Sequence, residues 1–391
     1  MRAAYRGGMT EEPVERRPPR APRGRASRST GRSASHPAQR VRFPGISARS
    51  YEHPADRAAL AALRGVPGFD ALVKGMFGFF SERRLRMLFL ASSVRVDERQ
   101  FPTLHRIAVE AAEILDLPEV PQLFVTQNPA ANAWTLGLDH PFVVVSSGLV
   151  ELADEDELRA VIGHEFGHVL SGHAVYSSVL FTLLRIGRVA ILPLGAAGLR
   201  AIVMALQEWH RKAELSCDRA GLLVCQDPAA LTRLHMKLAG GAHLDQLDFR
   251  AFLDQAEEYE AGGDIREGVI RLLNLLHATH PFAVLRALEI KRWVESGAYE
   301  RILAGDYPKR ADDSRTSFTD EVKAAAAAYK EAFDRSPDPL FRLLRDIGSG
   351  AANVGGWVAE QIRRMTGAAA PRSDRTTDPR SDRTTDPPED A

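Results

Sequence analysis

The sequence predicts an α+β fold, mainly helical with a small antiparallel sheet. Three observations predict it. Apolar residues recur at helical spacing through most of the chain between residues 55 and 300. The period changes only over 122–146, where three short runs read as strands separated by turn residues. Directly after that stretch, Asp154 followed by Glu157 gives a capping-box-like start to a helix with Leu158, Val161, Ile162 and Val169 on one stripe. The composition is that of a folded protein, with 45% hydrophobic and 26% charged residues among 391. Formal net charge is zero, so no global field favours nucleic acid as a partner. Cys217 and Cys225 are the two cysteines. Eight apart on one expected helix, they make no disulfide framework and point to a reducing compartment.

In chain order, residues 1–50 hold twelve Arg against three Glu, with many Pro, Ser and Gly. Such a segment buries too little apolar surface to offset its ordering entropy. It also lacks the apolar core of about 7–15 residues that marks a secretory signal. It reads as a disordered tail on a cytoplasmic protein. The folded domain is expected over 51–305, starting near Tyr51-Glu52-His53-Pro54. Residues 55–64 and 70–92 read as helices, and Glu82, Arg83, Arg84 and Arg86 interrupt the second, so it does not span a membrane. Phe101 to Leu115 is a further helix, ended by Pro118 and Pro121. The strands are Gln122–Thr126, Ala133–Gly137 and Phe142–Ser146. Beyond the capped helix, Ala174 to Leu206 is an apolar insert broken by Arg185, Arg188 and Arg200. It reads as a helical hairpin, either folded onto the core or lying on a membrane surface. Helices follow around Pro228–Ala239 and Phe249–Glu260, and Pro281 suits the first turn of another. Residues 306–366 carry two peripheral helices, Glu321–Phe333 and Leu340–Met365. An octapeptide then occurs twice, at 371–378 and 379–386, and 367–391 reads as a disordered repeat tail.

The chemistry concentrates in the capped helix. His164-Glu165-Phe166-Gly167-His168 places two histidines one turn apart on the same face. Both imidazoles can reach one Zn²⁺, and Glu165 can touch water beside the metal as a general base. Gly163 and Gly167 each weaken the helix by ~1 kcal/mol relative to Ala, which suggests that another backbone packs closely there. A catalytic zinc needs three protein ligands and an open position. The positions where one zincin class carries its Gly and third His are Ser171 and Ala174, so that class is excluded. His173 falls five residues past His168, faces away on a helical wheel, and reads as a polar residue near the helix end. Downstream, Glu214 and Asp218 sit one turn apart. Glu214 can supply the third ligand and Asp218 a carboxylate that orients a histidine. Alone, that pair would better suit a charged, solvated helix face.

With these residues in hand, the chain resembles the M48 family of zinc metallopeptidases over roughly residues 50–300. The resemblance rests on His164-Glu165-x-x-His168, then Glu214-x-x-x-Asp218-Arg219-x-Gly221, then His280-Pro281 with Arg286, in family order. It implies a zincin-like metallopeptidase fold, one Zn²⁺ held by His164, His168 and Glu214, and Glu165 as base. It further implies that His280 points at the metal to stabilise the oxyanion and that Arg286 supports the site. Asn132-Ala133-Trp134 is similar to a segment that offers a sheet edge, to which a polypeptide substrate adds as a strand. The expected function is that of a zinc metalloendopeptidase acting on unfolded or membrane-associated proteins. The rival reading is a zinc protein that binds unfolded chains or a partner without cutting them, but a closed structural site has no use for Glu165.

Overall fold

Strands β1 (Val94–Arg95), β2 (Gln122–Thr126), β3 (Ala133–Leu136) and β4 (Phe142–Ser146) form one sheet in the order β1-β2-β4-β3. This computed structural model describes residues 40–64, 69, 73, 82–189, 196–261 and 282–313. The tail up to residue 39, residues 70–72 and 74–81 of the expected second helix, and His280-Pro281 lie outside them. So do both helices expected beyond Asp313 and the tandem repeat. Three strands stand where the sequence put them, but the sheet is mixed rather than antiparallel throughout. β3 and β4 pair antiparallel, as do β1 and β2, whereas β2 and β4 run parallel. The chain leaves β2 through 127–132, enters β3 at the outer edge, and only then turns back so that β4 fills the middle. All five β4 residues are buried, as its unbroken Phe-Val-Val-Val run suits for a strand covered on both faces. β1 escapes a sequence reading because it is two exposed residues long.

Around the sheet lie α1 (Pro54–Arg64), α2 (Glu82–Ser92), α3 (Pro102–Ile114) and the short α4 (Ser147–Leu152). They are followed by α5 (Glu155–Leu170), α6 (Ala174–Val189), α7 (Ala196–Cys225), α8 (Pro228–Gly240), α9 (Phe249–Ala261) and α10 (Ala283–Glu295). Of the insert expected as a hairpin over 174–206, α6 covers 174–189 and α7 begins at Ala196 and runs on as a continuous helix of 30 residues, while 190–195 lie outside the described residues. No helix among the described residues is long and apolar enough to cross a membrane.

Helix α5 begins with a complete capping box. The Asp154 carboxylate accepts from the Asp156 and Glu157 N–H groups, and Glu157 accepts from the Asp154 N–H. Glu157 is fully buried and receives Lys237 Nζ from α8 at 2.6 Å. Helix α5 crosses α7 on small residues. A Cβ at Gly163 would lie 2.6 Å from Val224 Cβ, and one at Gly167 would lie 2.7 Å from Ala220 Cβ. The two glycines of the histidine motif therefore let the backbones approach, as their placement suggests. The main core joins one face of the sheet to α3, α5, α8, α10 and the end of α7, with Ile107, Val143, Ile162, Phe166 and Leu223 fully buried. Each such large side chain contributes roughly 1.5–3 kcal/mol of burial.

The packed chain starts earlier than Tyr51 and ends later than residue 305. Phe43 and Ile46 are fully buried, the Phe43 N–H donates to the Ile114 carbonyl at 2.8 Å, and Ile46 bridges to Lys309. Arg40 pairs with Glu110 at 3.0 Å and Asp156 at 2.7 Å. The tail-like composition around these residues hides them, because their partners lie 70 and 116 positions away.

Candidate metal centre and cleft

Helical register does the first part of the assembly. The His164 and His168 rings lie 5.0 Å apart on the buried face of α5. On α7, Glu214 and Asp218 present their carboxylates to that face. Glu214 Oε2 is 3.5 Å from His164 Nε2, and Oε1 is 3.3 Å from His168 Nε2. Tetrahedral zinc with bonds of about 2.0–2.2 Å sets its nitrogen and oxygen donors ~3.3–3.5 Å apart. Both imidazole–carboxylate spacings thus match those of ligands around one metal ion. Cys217 is the competing donor, since its sulfur and donor atoms of both histidines fall within 4.8 Å of one another. Its Sγ lies 3.6 Å from His173 Nδ1. Burial, and then the charge of Glu214, push its thiol well up.

Behind the donors, Asp218 Oδ1 lies 3.0 Å from His164 Nδ1, leaving Nε2 to face Glu214. Arg286, from α10, donates Nε to Asp218 Oδ2 at 2.7 Å and Nη2 to Oδ1 at 2.5 Å, and its Nη1 lies 3.1 Å from Glu214 Oε2. Burial opposes the Asp218 charge, but Arg286, with His235 and His164, holds the carboxyl well below its usual range. His164 shows the opposite pull. Burial lowers its proton affinity, yet Glu214 and Asp218 lift it to about 10. His168, equally buried, is driven down.

Glu165 is 2% exposed. The Thr135 hydroxyl on β3 donates to its Oε2 at 2.6 Å and lies 3.0 Å from its carbonyl oxygen. Two clefts meet at Glu165. One is walled by Trp134, Thr135, Leu136, His168, Phe181 and His210. The other is walled by Asn132, Ala133, His164, Leu234 and Arg286. The Asn132-Ala133-Trp134 segment thus borders both, along the edge strand. Trp134 also packs beside Phe124, Phe142 and Phe181.

His173 corrects the sequence reading. Helix α5 ends at Leu170, and the chain turns through Gly172 at φ 68°, so a helical wheel no longer applies. The turn brings His173 back, fully buried, with Nδ1 3.3 Å from His168 Nδ1 and Nε2 3.1 Å from Asp56 Oδ2. His210 was not singled out by sequence, although it sits one turn before Glu214. It stacks 5.7 Å from His168, with Nε2 3.5 Å from Glu214 Oε1. Thr135 and Asp56 carried no local signal at all.

A buried His-Glu-x-x-His helix closed by a carboxylate from a second helix, beside a sheet edge, defines a metal-dependent protease. The chain belongs to peptidase family M48, whose family model matches residues 98–294. It is 38% identical over 279 residues to an Arabidopsis thaliana protein named plastoglobule-localized metallopeptidase 48, chloroplastic, covering 70% of this chain and 79% of that one. A protease HtpX homolog of Sulfurihydrogenibium sp. is 32% identical over 107 residues, 27% of this chain and 35% of its own length. One from Tropheryma whipplei is 27% identical over 192 residues, 42% and 65% of the two chains. The chain therefore spans less than two thirds of these two HtpX homologs. No solved structure matches it.

Proposed function

We propose that the chain is a zinc-dependent endopeptidase that hydrolyses peptide bonds in unfolded or membrane-associated polypeptides. The observation that carries this reading is the convergence of His164 Nε2 and His168 Nε2 on the two oxygens of Glu214, one helical position from Glu165. His164, His168 and Glu214 would hold the ion. Bound zinc supplies Lewis acidity, lowering the pKa of water and polarising a carbonyl. Glu165 takes a proton from the attacking water and returns it to the leaving amine. Thr135 fixes the Glu165 carboxylate for that transfer. Asp218 holds the His164 ring through Nδ1, and Arg286 holds Asp218 and Glu214 in turn. His280 belongs to this reading as an oxyanion donor through family resemblance alone.

The substrate would lie extended along β3 as an added strand. Support comes from the position of β3 at the sheet edge and from its residues bordering both clefts. The reading also includes a cytoplasmic or peripheral location, with membrane-surface contact through 174–206.

Casein hydrolysis by purified wild type and Glu165→Gln tests the mechanism. Activity in the wild type, lost in the variant at equal zinc content, is the expected result. Equal activity in both would remove Glu165 as the base. Zinc bound without activity in either would favour a binding protein.

A further inference from the structure

His164 and His168 are held in different ways. The Nδ1 of His164 meets a carboxylate directly, at 3.0 Å from Asp218. The Nδ1 of His168 meets a second imidazole, His173, at 3.3 Å. That imidazole passes the contact on, its Nε2 lying 3.1 Å from Asp56 Oδ2. Asp56 is anchored in turn by two further donors, the Ser216 hydroxyl at 2.6 Å and the Trp209 indole N–H at 3.0 Å. Asp56, His173, Ser216 and Trp209 are at most 1% exposed, so solvent does not substitute for any of these bonds.

We infer that Asp56 and His173 are positioning residues that set the tautomer and ring orientation of His168 through a two-step hydrogen-bonded relay. The inference rests on the metal reading of the site. Polarity follows from chemistry. A metal on His168 Nε2 leaves Nδ1 as the N–H, so His168 donates and His173 Nδ1 accepts. A neutral His173 then carries its hydrogen on Nε2, and that hydrogen donates to the Asp56 carboxylate. The reverse direction would place the His168 hydrogen on Nε2 and block the ligand nitrogen. Ligand histidines commonly donate their second N–H to a carboxylate or carbonyl. Here an intervening imidazole makes up the distance to a carboxylate on another element. That element is α1, which precedes residues 98–294, the stretch matched by the family model. The N-terminal helix therefore completes the site from outside that stretch.

The test measures zinc affinity of the full-length chain by competition with a chromophoric chelator. The absorption spectrum of the cobalt-substituted protein reports ligand geometry alongside it. Asp56→Asn and His173→Leu should each weaken zinc binding about 10–100-fold and alter the cobalt spectrum. His173→Gln should recover most of the affinity, because its amide oxygen accepts and its amide nitrogen donates where the two imidazole nitrogens do. Asp56→Asn keeps the shape of the buried cluster, so the test stands even if His173→Leu does not fold. Unchanged affinity and cobalt spectrum in folded Asp56→Asn would overturn the inference. Equal weakening by Leu and Gln at residue 173 would do the same, since packing alone would then explain it. A wild type with no zinc affinity would remove the metal reading and this inference together.

Discussion

The crossing of α5 on α7 fixes how closely Glu214 approaches the histidines, and Gly167→Ala tests it. A Cβ at position 167 would lie 2.7 Å from Ala220 Cβ, 3.3 Å from Cys217 Cα and 3.5 Å from Cys217 Sγ. Carbon atoms prefer about 3.5–4.0 Å, so the nearest contact is short by about 1 Å. The atom it meets is fixed to the backbone and cannot swing away. Two effects compete. Alanine gains ~1 kcal/mol over glycine in a helix interior, whereas overpacking a tight core costs about 1–3 kcal/mol. With a backbone-anchored clash the cost sits at the upper end, leaving Gly167→Ala about 2 kcal/mol less stable than wild type. Ala220→Gly removes the clashing atom and costs ~1 kcal/mol in propensity. The double variant should then return to within about 1 kcal/mol of wild type, a favourable coupling typical of residues in contact. Urea denaturation in excess chelator measures all four proteins without metal linkage. A Gly167→Ala variant more stable than wild type, or two effects that simply add, would refute the close-crossing account.

Three further outcomes follow from the same contacts. Arg286→Met leaves the buried Asp218 and Glu214 without their cation, and metal-free stability should fall by about 3–5 kcal/mol; a loss below ~1 kcal/mol in urea titration would contradict the pairing. Thr135→Val removes a hydrogen bond to a charged group worth about 1.5–3 kcal/mol, so kcat should drop roughly 10–100-fold at unchanged zinc content, read by single-turnover peptide hydrolysis. Glu289 is held down to about 2, first by His53 and then by Arg292, against an ordinary 4.5. Its folded value lies below its unfolded one, so the stability it adds is complete above pH 4.5 and disappears as pH falls through 2. Glu289→Gln should lose that part of the acid sensitivity in denaturation midpoints taken from pH 6 to 2, and identical pH slopes would count against the contact.

Local order made much of the site legible. His164 and His168 share a face because 3.6 residues make a turn, and the same rule pairs Glu214 with Asp218. The capping box at Asp154 is a four-residue signal, and the strands announce themselves by short apolar runs between turn residues. What stayed hidden is long-range or turns on where a helix ends. Gly172 turns the chain one residue before His173, and the wheel argument fails there. Thr135 looks like any strand threonine until the sheet edge is laid against Glu165. Asp56 lies 117 positions before His173 in sequence, and nothing around Pro54 hints at a buried partner. The parallel pairing of β2 with β4 is likewise a matter of where β3 is inserted, which no strand carries in its own residues.

Charge explains why these hidden partners are needed. Asp56, Glu165, Glu214 and Asp218 are all at most 2% exposed, and each buried carboxylate costs several kcal/mol unless compensated. Arg286 neutralises part of this by reaching Asp218 and Glu214 together. Asp56 is met by three separate donors: Ser216, Trp209 and His173. Glu214 and Asp218 also lift the His164 imidazole to about 10 despite complete burial. Arg286 lies on α10, Glu214 and Asp218 on α7, and the histidines on α5. A metal held by these donors would also clamp three helices together and so couple metal affinity to folding.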